Sequence, residues 1–408
     1  MSQICLIRRL SSSSKIDAVI VSTARTPIGS FRGRLARFPA PRLGSIAIGA
    51  AIRRAGLEPN QPQEVFMGNV LSAALGQAPA RQAALGAGMP TSTPCTTINK
   101  VCASGMKAIM LAAQSIACGA QEIVVAGGME SMSNVPYYVP SGRNGFVYGH
   151  QKLLDGVLHD GLTDVYNNIH MGNCGETTAA KFEISREEQD AYAMRSYSHS
   201  AVAHSSGLMA KEIQPVTIPA AKKGQSDGIM HEDEEFRKVN FDKFTSLKPA
   251  FVKEAGTITA ANASTLNDGA AALVLMSAQA ASRMNVKPLA LIRGIADAAV
   301  DPIDFPTAPA AAVPKVLANA GVKKEDIASW EINEAFSVVV LANQKILGLD
   351  PEKVNVHGGA VSLGHPIGMS GARIVGHMAL NLKPGELGCA SICNGGGGAS
   401  AMIIERLE

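Results

Sequence analysis

The feature that most constrains the fold is an alternation along the chain. Short apolar runs such as Glu64 to Val70 (EVFMGNV), Glu122 to Ala126 (EIVVA) and Ala399 to Glu405 (ASAMIIE) are separated by longer Ala-rich segments of helical period. Continuous apolar runs of strand length need cover on both faces, and amphipathic helices supply it, so a layered α/β architecture is expected. The segment Val101 to Gly119 shows the helical half of the pattern. Its apolar positions Met106, Ile109, Met110, Ala113, Ile116 and Ala117 recur at three and four residues, and Gly119 supplies a stop. A second helix is expected from Asn333 to Gly348, and a glycine-rich strand closes the chain. Between about 133 and 255 the texture turns polar and charged, with an acidic run from Glu232 to Glu235, and reads as an inserted subdomain. The alternation resumes near 283. Each half then offers a strand, a turn bearing a polar residue and a helix, a weak internal duplication. The expected division is a leader over 1–15, an N-terminal domain over 16–282 that carries the insertion, and a C-terminal domain over 283–408.

Composition narrows the function classes. At 408 residues with 46% hydrophobic and 17% charged residues, the chain can bury a large core without disulfides or metals. It contains nothing near the roughly 18 uninterrupted apolar residues of a membrane span. With 37 basic against 34 acidic residues the net charge is +3, so no global field recommends nucleic acid, although a few local cations can still hold a phosphate. Seven cysteines form no CxxC pair and no regular framework, which argues for reduced thiols. Residues 1–15 (MSQICLIRRLSSSSK) hold Arg8, Arg9, Lys15 and four consecutive serines with no acid, the composition of a mitochondrial transit peptide, and the mitochondrial matrix is the expected address. The chain ends in Arg-Leu-Glu, which is not a peroxisomal tripeptide.

Three glycine-flanked polar positions stand out as chemistry. Cys102, in NKVCASGMKA, sits where an extended run meets the amphipathic helix; a helix N-terminus lowers a thiol's pKa and favours the thiolate nucleophile. His365, in GGAVSLGHPIGMSG, is placed to take a thiol proton, with His357 a weaker candidate of the same kind. Cys393 precedes four glycines in SICNGGGGASA, whose amides suit an oxyanion. Asn333, in WEINEAF, reads either as a group holding a water or carbonyl or as an ordinary helix N-cap. Two thiols and one imidazole suit a reaction in which one cysteine is acylated while another group removes a weakly acidic C–H proton, because two distinct tasks need two separately placed groups.

These segments resemble the thiolases, and within them the short-chain acetyl-CoA acetyltransferases. VCASG around Cys102, NEAF at 333–336, GHP at 364–366 and CNG at 393–395 stand in family order, and the likeness runs from about residue 16 to 408. The resemblance implies a thiolase fold, two similar α/β halves in a five-layer αβαβα arrangement, with the insertion over a coenzyme A channel. It implies reversible condensation of two acetyl-CoA to acetoacetyl-CoA and CoA. Cys102 would carry the acetyl group; His365 would activate Cys102 and, with a water held by Asn333, stabilise the thioester oxygen of the incoming acetyl-CoA. Cys393 would be the acid/base, and the amides of Cys102 and Gly395 the second oxyanion hole. CoA would be met by Leu162, His170, Tyr197, Lys238, Val239, Asn240, Lys243 and Ser264. Met171, Phe305 and Pro306 would line the substrate pocket, the Phe-Pro pair resembling that of the potassium-activated mitochondrial members, which also cleave 2-methylacetoacetyl-CoA in isoleucine and ketone-body metabolism. A potassium ion would be held by Tyr197, Ala260, Ala261, Ala263 and Val361, and no covalent cofactor is implied. The family forms homodimers that commonly pair into homotetramers. One departure stands at Lys238, where relatives carry arginine near the nucleotide end of CoA; lysine loses the planar fork, and weaker CoA binding is expected. Among rivals, a ketoacyl-ACP synthase uses two histidines beside one cysteine, against which Cys393 speaks. A longer-chain 3-ketoacyl-CoA thiolase or a non-catalytic lipid-binding homologue are the others, and the latter would be expected to lack one of Cys102, Asn333, His365 and Cys393.

Overall fold

The computed structural model describes residues 16–220 and 224–408; the leader expected over 1–15 lies outside them. The main strands are β1 (Ala18–Arg25), β2 (Glu64–Gly68), β3 (Cys95–Ile98), β4 (Ile123–Ser131), β5 (Asn267–Ser277), β6 (Ala290–Ala299), β7 (Ile327–Ile332), β8 (Leu387–Asn394) and β9 (Gly398–Arg406). The main helices are α1 (Ala40–Arg54), α2 (Pro79–Gly86), α3 (Ser104–Ala117), α4 (Met171–Lys181), α5 (Arg186–Ser205), α6 (Ala308–Ala320), α7 (Ser337–Leu347) and α8 (Ser370–Asn381).

The strands pair in the order β7-β8-β9-β6-β1-β5-β4-β2-β3, with the two-residue strand Gly29–Ser30 beside β5. This order is one motif used twice. In the first half β1, β5, β4, β2 and β3 stand side by side; in the second, β6, β9, β8 and β7 do the same, and Val354, bridged in parallel to Trp330 of β7, takes the fifth place. The pairs β2–β3, β2–β4 and β7–β8 are parallel and the others antiparallel. The halves meet in a short antiparallel contact, Val19 opposite Leu291 and Ile20 opposite Ala290.

Alternating side chains along β1 show the layering directly. Val19 and Val21 point into a core shared with Leu43 and Ile48 of α1, while Ala18 and Ile20 point into one shared with Ile109 of α3 and Ile374 of α8. That central core is closed on its far side by Ile292, Ile392 and Ile404, and a third core places Val313 and Val316 of α6 on the outer face of the second half-sheet. The five layers are therefore helix, sheet, helix pair, sheet, helix. The central helices touch backbone to backbone. A Cβ on Gly371 of α8 would lie 2.6 Å from the amide nitrogen of Met106 in α3, closer than any side chain tolerates. Because this contact is at the first turn of both helices, the segments that precede them, one carrying Cys102 and the other His365, are brought side by side.

The polar segment between β4 and β5 contains α4, α5 and three two-stranded hairpins rather than further strands of the main sheet. It is fastened by Arg25 at the end of β1, whose buried guanidinium meets Glu212 at 2.6 Å and Asp233 at 2.7 Å. The two expected helices exist, with corrected starts. α3 begins at Ser104 rather than Val101, because 99–103 form a tight turn in which Val101 takes φ +47°. α7 begins at Ser337 rather than Asn333: the Asn333 amide donates to Ser391 O at 3.0 Å, extending β7 along β8, and Phe336 occupies the N-cap.

Candidate active site

Cys102 sits on a turn held by its neighbours. Lys100 N donates to Ser104 Oγ at 2.8 Å, Ser104 Oγ to Val101 O at 2.6 Å, and Val101 N to Asn99 Oδ1 at 3.0 Å. A β-branched residue with positive φ costs of order 1–3 kcal/mol, and such strain persists only where its surroundings impose it. The half-buried thiol packs against a buried cluster of Val70, Leu71, Met132, Val157 and Ile367. Its sulfur is within hydrogen-bonding reach of its own amide and of the Gly395 amide, yet burial outweighs both and, with the Glu130 carboxylate adding repulsion, pushes its pKa up to about 12. The lowered pKa expected from a helix N-terminus is thus corrected. Cys102 precedes the first helical residue by two positions, and desolvation dominates there.

His365 is buried, and its tautomer follows from its partners. Ser370 Oγ donates to Pro366 O at 3.2 Å, which leaves the hydroxyl oxygen to accept from His365 Nδ1–H at 2.6 Å. Nε2 is then the unprotonated nitrogen, facing Asn333 Nδ2 at 3.5 Å. The backbone of His365 donates to Asn267 Oδ1 at 2.9 Å. Burial, with the Arg373 guanidinium adding repulsion, drives the imidazole pKa down to about 3, so it stays neutral at physiological pH. The acid Glu130 holds the surrounding loops together: its carboxylate accepts from the amides of Val70, Leu71 and Gly368 and from Asn69 Nδ2.

Cys393, at the end of β8, is fully buried in a cluster with Met171, Phe305, Phe336 and Ala263. Burial raises its pKa, and the proximity of Cys102 raises it further. The turn after it, with Gly396 and Gly397 at φ +82° and +84°, leaves a Cβ on Gly395 only ordinary contacts with Met171 and Val101. Asn333 is buried in the β7–α7 connection, and its Oδ1 has no protein partner. A buried amide oxygen without a partner is costly and marks a place for a water or ligand. Asn333 is therefore not a helix cap. His357 is drawn elsewhere, its Nδ1 3.0 Å from His377 Nε2 in a network that ends on Glu212 and Arg25.

An open cleft of about 390 Å³ collects Lys238, Phe251, Ala260, Ala263 and Ser264 with Ser30 and Glu235. His170 stacks on Phe251 of the cleft with ring centroids 4.7 Å apart, and Leu162 packs against the same buried cluster as Cys102. Tyr197, Val361 and Ala261 share another cluster, which Val239 joins. Lys238 Nζ reaches Ser30 Oγ and Glu235 Oε1. Asn240 caps the turn Phe241–Ser246, and neither it nor Lys243 lines the cleft. Pro306 is buried beside Phe305 and accepts from Asn343 Nδ2 at 2.8 Å. Among the described residues no group of three or more His, Cys, Asp or Glu side chains is arranged to hold a metal, and no helix is long and apolar enough to cross a membrane. Ser370 and Asn267 escaped the sequence reading. Ser370 lies one helical turn beyond His365 and carried that signal; Asn267 is 98 positions away and carried none.

Comparison with known proteins agrees with this geometry. Residues 18–279 match the family model "Thiolase, N-terminal domain" and 286–406 match "Thiolase, C-terminal domain". The chain is 67% identical over 391 residues to acetyl-CoA acetyltransferase A, mitochondrial, of Xenopus laevis, covering 96% of this chain and 92% of that one. It is 63% identical to the Homo sapiens protein named acetyl-CoA acetyltransferase, mitochondrial, covering 96% and 91%. Among solved structures, an Acat5 thiolase from Ascaris suum in complex with coenzyme A superposes with a TM-score of 0.91 at 48% identity, covering 96% of this chain and all of that one. With the duplicated half-sheets and the paired thiols already in place, these matches settle the kinship: the chain belongs to the thiolase family.

Proposed function

We infer that the protein is a mitochondrial acetyl-CoA C-acetyltransferase, interconverting two acetyl-CoA with acetoacetyl-CoA and CoA through an acetyl-cysteine. The observation that carries this reading is the pairing of two protonated thiols, Cys102 and Cys393, with one neutral imidazole whose free Nε2 is fixed by Ser370. In the first half-reaction Cys102 Sγ attacks the acetyl carbonyl, its proton passes to His365 Nε2, and CoA leaves as the thiol by taking the proton of Cys393, which is left as the thiolate. A water on Asn333, whose Oδ1 is unpartnered, and His365 face the thioester oxygen. In the second, the Cys393 thiolate removes a proton from the methyl carbon of another acetyl-CoA and is restored to the thiol. The carbanion attacks the acetyl carbon, the oxyanion is received by the Cys102 and Gly395 amides, and collapse expels Cys102, which recovers its proton from His365. Relatives named mitochondrial at 63–67% identity support the address, and the CoA complex of the Ascaris suum relative supports CoA as the substrate.

Potassium fits the residues implied for it. Among the described residues no hydrogen-bond donor engages the carbonyl oxygens of Ala260, Ala261 and Ala263, and the Tyr197 hydroxyl has no partner, a set of hard oxygens beside the CoA cleft with Val361 in the same cluster. An ion held by them would stiffen the 260–264 segment. The same reading includes cleavage of 2-methylacetoacetyl-CoA, with Met171 and Phe305 beside Cys393 bounding the room for the branch, and assembly as a homodimer or homotetramer. The test is CoA-dependent cleavage of acetoacetyl-CoA and its 2-methyl analogue by the purified chain lacking its first 15 residues. Cleavage of both, faster in potassium than in sodium, is expected. A folded protein that cleaves neither refutes the activity, and equal rates in both ions refute the ion site.

A further inference from the structure

We propose that Lys100 is a positioning residue that fixes the separation of the two thiols, a role that rests on reading Cys102 as the acyl carrier and Cys393 as the base. Lys100 stands two residues before Cys102 on the strained nucleophile turn, and its side chain is only 24% exposed. Its ammonium leaves the first half of the molecule altogether. Nζ donates to Asp297 Oδ1 on β6, to Ser400 Oγ at 2.8 Å and to Ala399 O at 3.2 Å, both on β9. Three acceptors match the three protons of an ammonium. Ala399 is the cross-strand partner of Cys393, and Ser400 is opposite both Ile392 on β8 and Asp297 on β6. The tether therefore ends on the residue paired with the base, 299 positions along the chain from where it begins.

The anchor is itself braced. Asp297 also receives Lys107 Nζ at 2.7 Å from α3 and Ser400 Oγ at 2.6 Å. Against burial that would raise it, these hydrogen bonds hold the Asp297 carboxyl down to about 2, so the charge on the anchor persists across the working pH range. The two α/β halves also meet at the β1–β6 edge, at the central helix contact next to the turn, and where the amides of His365 and Gly368 bond Asn267 and Glu130, but none of these ties Lys100 or Val101 to β9. Without Lys100, the turn keeps its local bonds to Asn99 and Ser104 but loses its link to β9. Acetylation needs Cys102 and His365. Condensation in addition needs Cys393 and the Gly395 amide in register with the acetyl group, and a misplacement of about 1 Å costs on the order of 100-fold.

The discriminating measurement separates the half-reactions. For wild type, Lys100→Met and Asp297→Asn, acetylation of Cys102 by acetyl-CoA is followed in a single turnover by intact mass, and steady-state condensation gives kcat and KM, each below the measured unfolding temperature. We expect acetylation within about 3-fold of wild type and kcat for condensation lowered about 100-fold with little change in KM. The double variant should be no worse than the worse single one, because one tether is lost only once. Parallel loss in both half-reactions, or no loss in either, overturns the proposal. Should Lys100→Met fail to fold, Ser400→Ala joins Asp297→Asn under the same criteria. A wild-type protein that is never acetylated on Cys102 removes the underlying reading, and the proposal with it.

Discussion

At the scale of the residue, the chemistry turns on which influence sets the state of each ionisable group. A helix terminus is worth ~1 kcal/mol or less at an exposed site, below the about 1.4 kcal/mol that moves a pKa by one, and Cys102 is not even in the first turn. Desolvation wins, and the resting pair is a neutral thiol beside a neutral imidazole rather than a thiolate–imidazolium pair. The pH dependence follows. With the thiol pKa raised to about 12, the thiolate fraction climbs about tenfold per pH unit throughout the range below it. Alkylation of Cys102 by iodoacetamide in the CoA-free protein should therefore rise steadily from about pH 6 to 9. A plateau within that range would show a preformed ion pair. His365, with its pKa lowered to about 3, contributes no acidic limb in the same window.

At the scale of the element, the central helix pair decides how the two segments carrying Cys102 and His365 meet. Gly371→Ala would ordinarily gain up to about 1 kcal/mol from helix propensity. Here the new Cβ meets the Met106 amide nitrogen at 2.6 Å, an approach that backbone movement alone can relieve. Overpacking of this kind costs about 1–3 kcal/mol and outweighs the gain. The variant should unfold at lower denaturant concentration by about that amount and lose most of its activity; equal or higher stability would contradict the close contact. The helices themselves were legible in the sequence because their apolar spacing is local, and Cys102, His365 and Cys393 were singled out there by their neighbouring glycines. The start of α7 was not legible, since it depends on Asn333 pairing with Ser391 far along the chain. The pKa of Cys102 was misread for the same reason: it is set by what covers the sulfur, and that cover, a cluster that includes Val70, Leu71 and Ile367, comes from other segments.

At the scale of the whole molecule, the weak duplication suspected from sequence is a repeated five-strand motif, with Cys102 on one half and Asn333, His365 and Cys393 on the other. Outside that body the 137–166 region exposes Tyr137, Phe146, Val147, Tyr148, Val165 and Tyr166, large apolar side chains of the kind that association between subunits covers. As part of the proposed assembly, changing Phe146, Val147 and Tyr148 to serine should lower the mass found by sedimentation while leaving acetylation of Cys102 intact. An unchanged mass would place the assembly surface elsewhere. The central claim is that two thiols divide the reaction, and intact-mass and peptide mass spectrometry test it most directly. After mixing with acetyl-CoA, wild type and Cys393→Ser should both carry one acetyl group on Cys102, with condensation lowered at least about 100-fold in the variant. Acetylation elsewhere, or near-normal condensation without the Cys393 thiol, would contradict it.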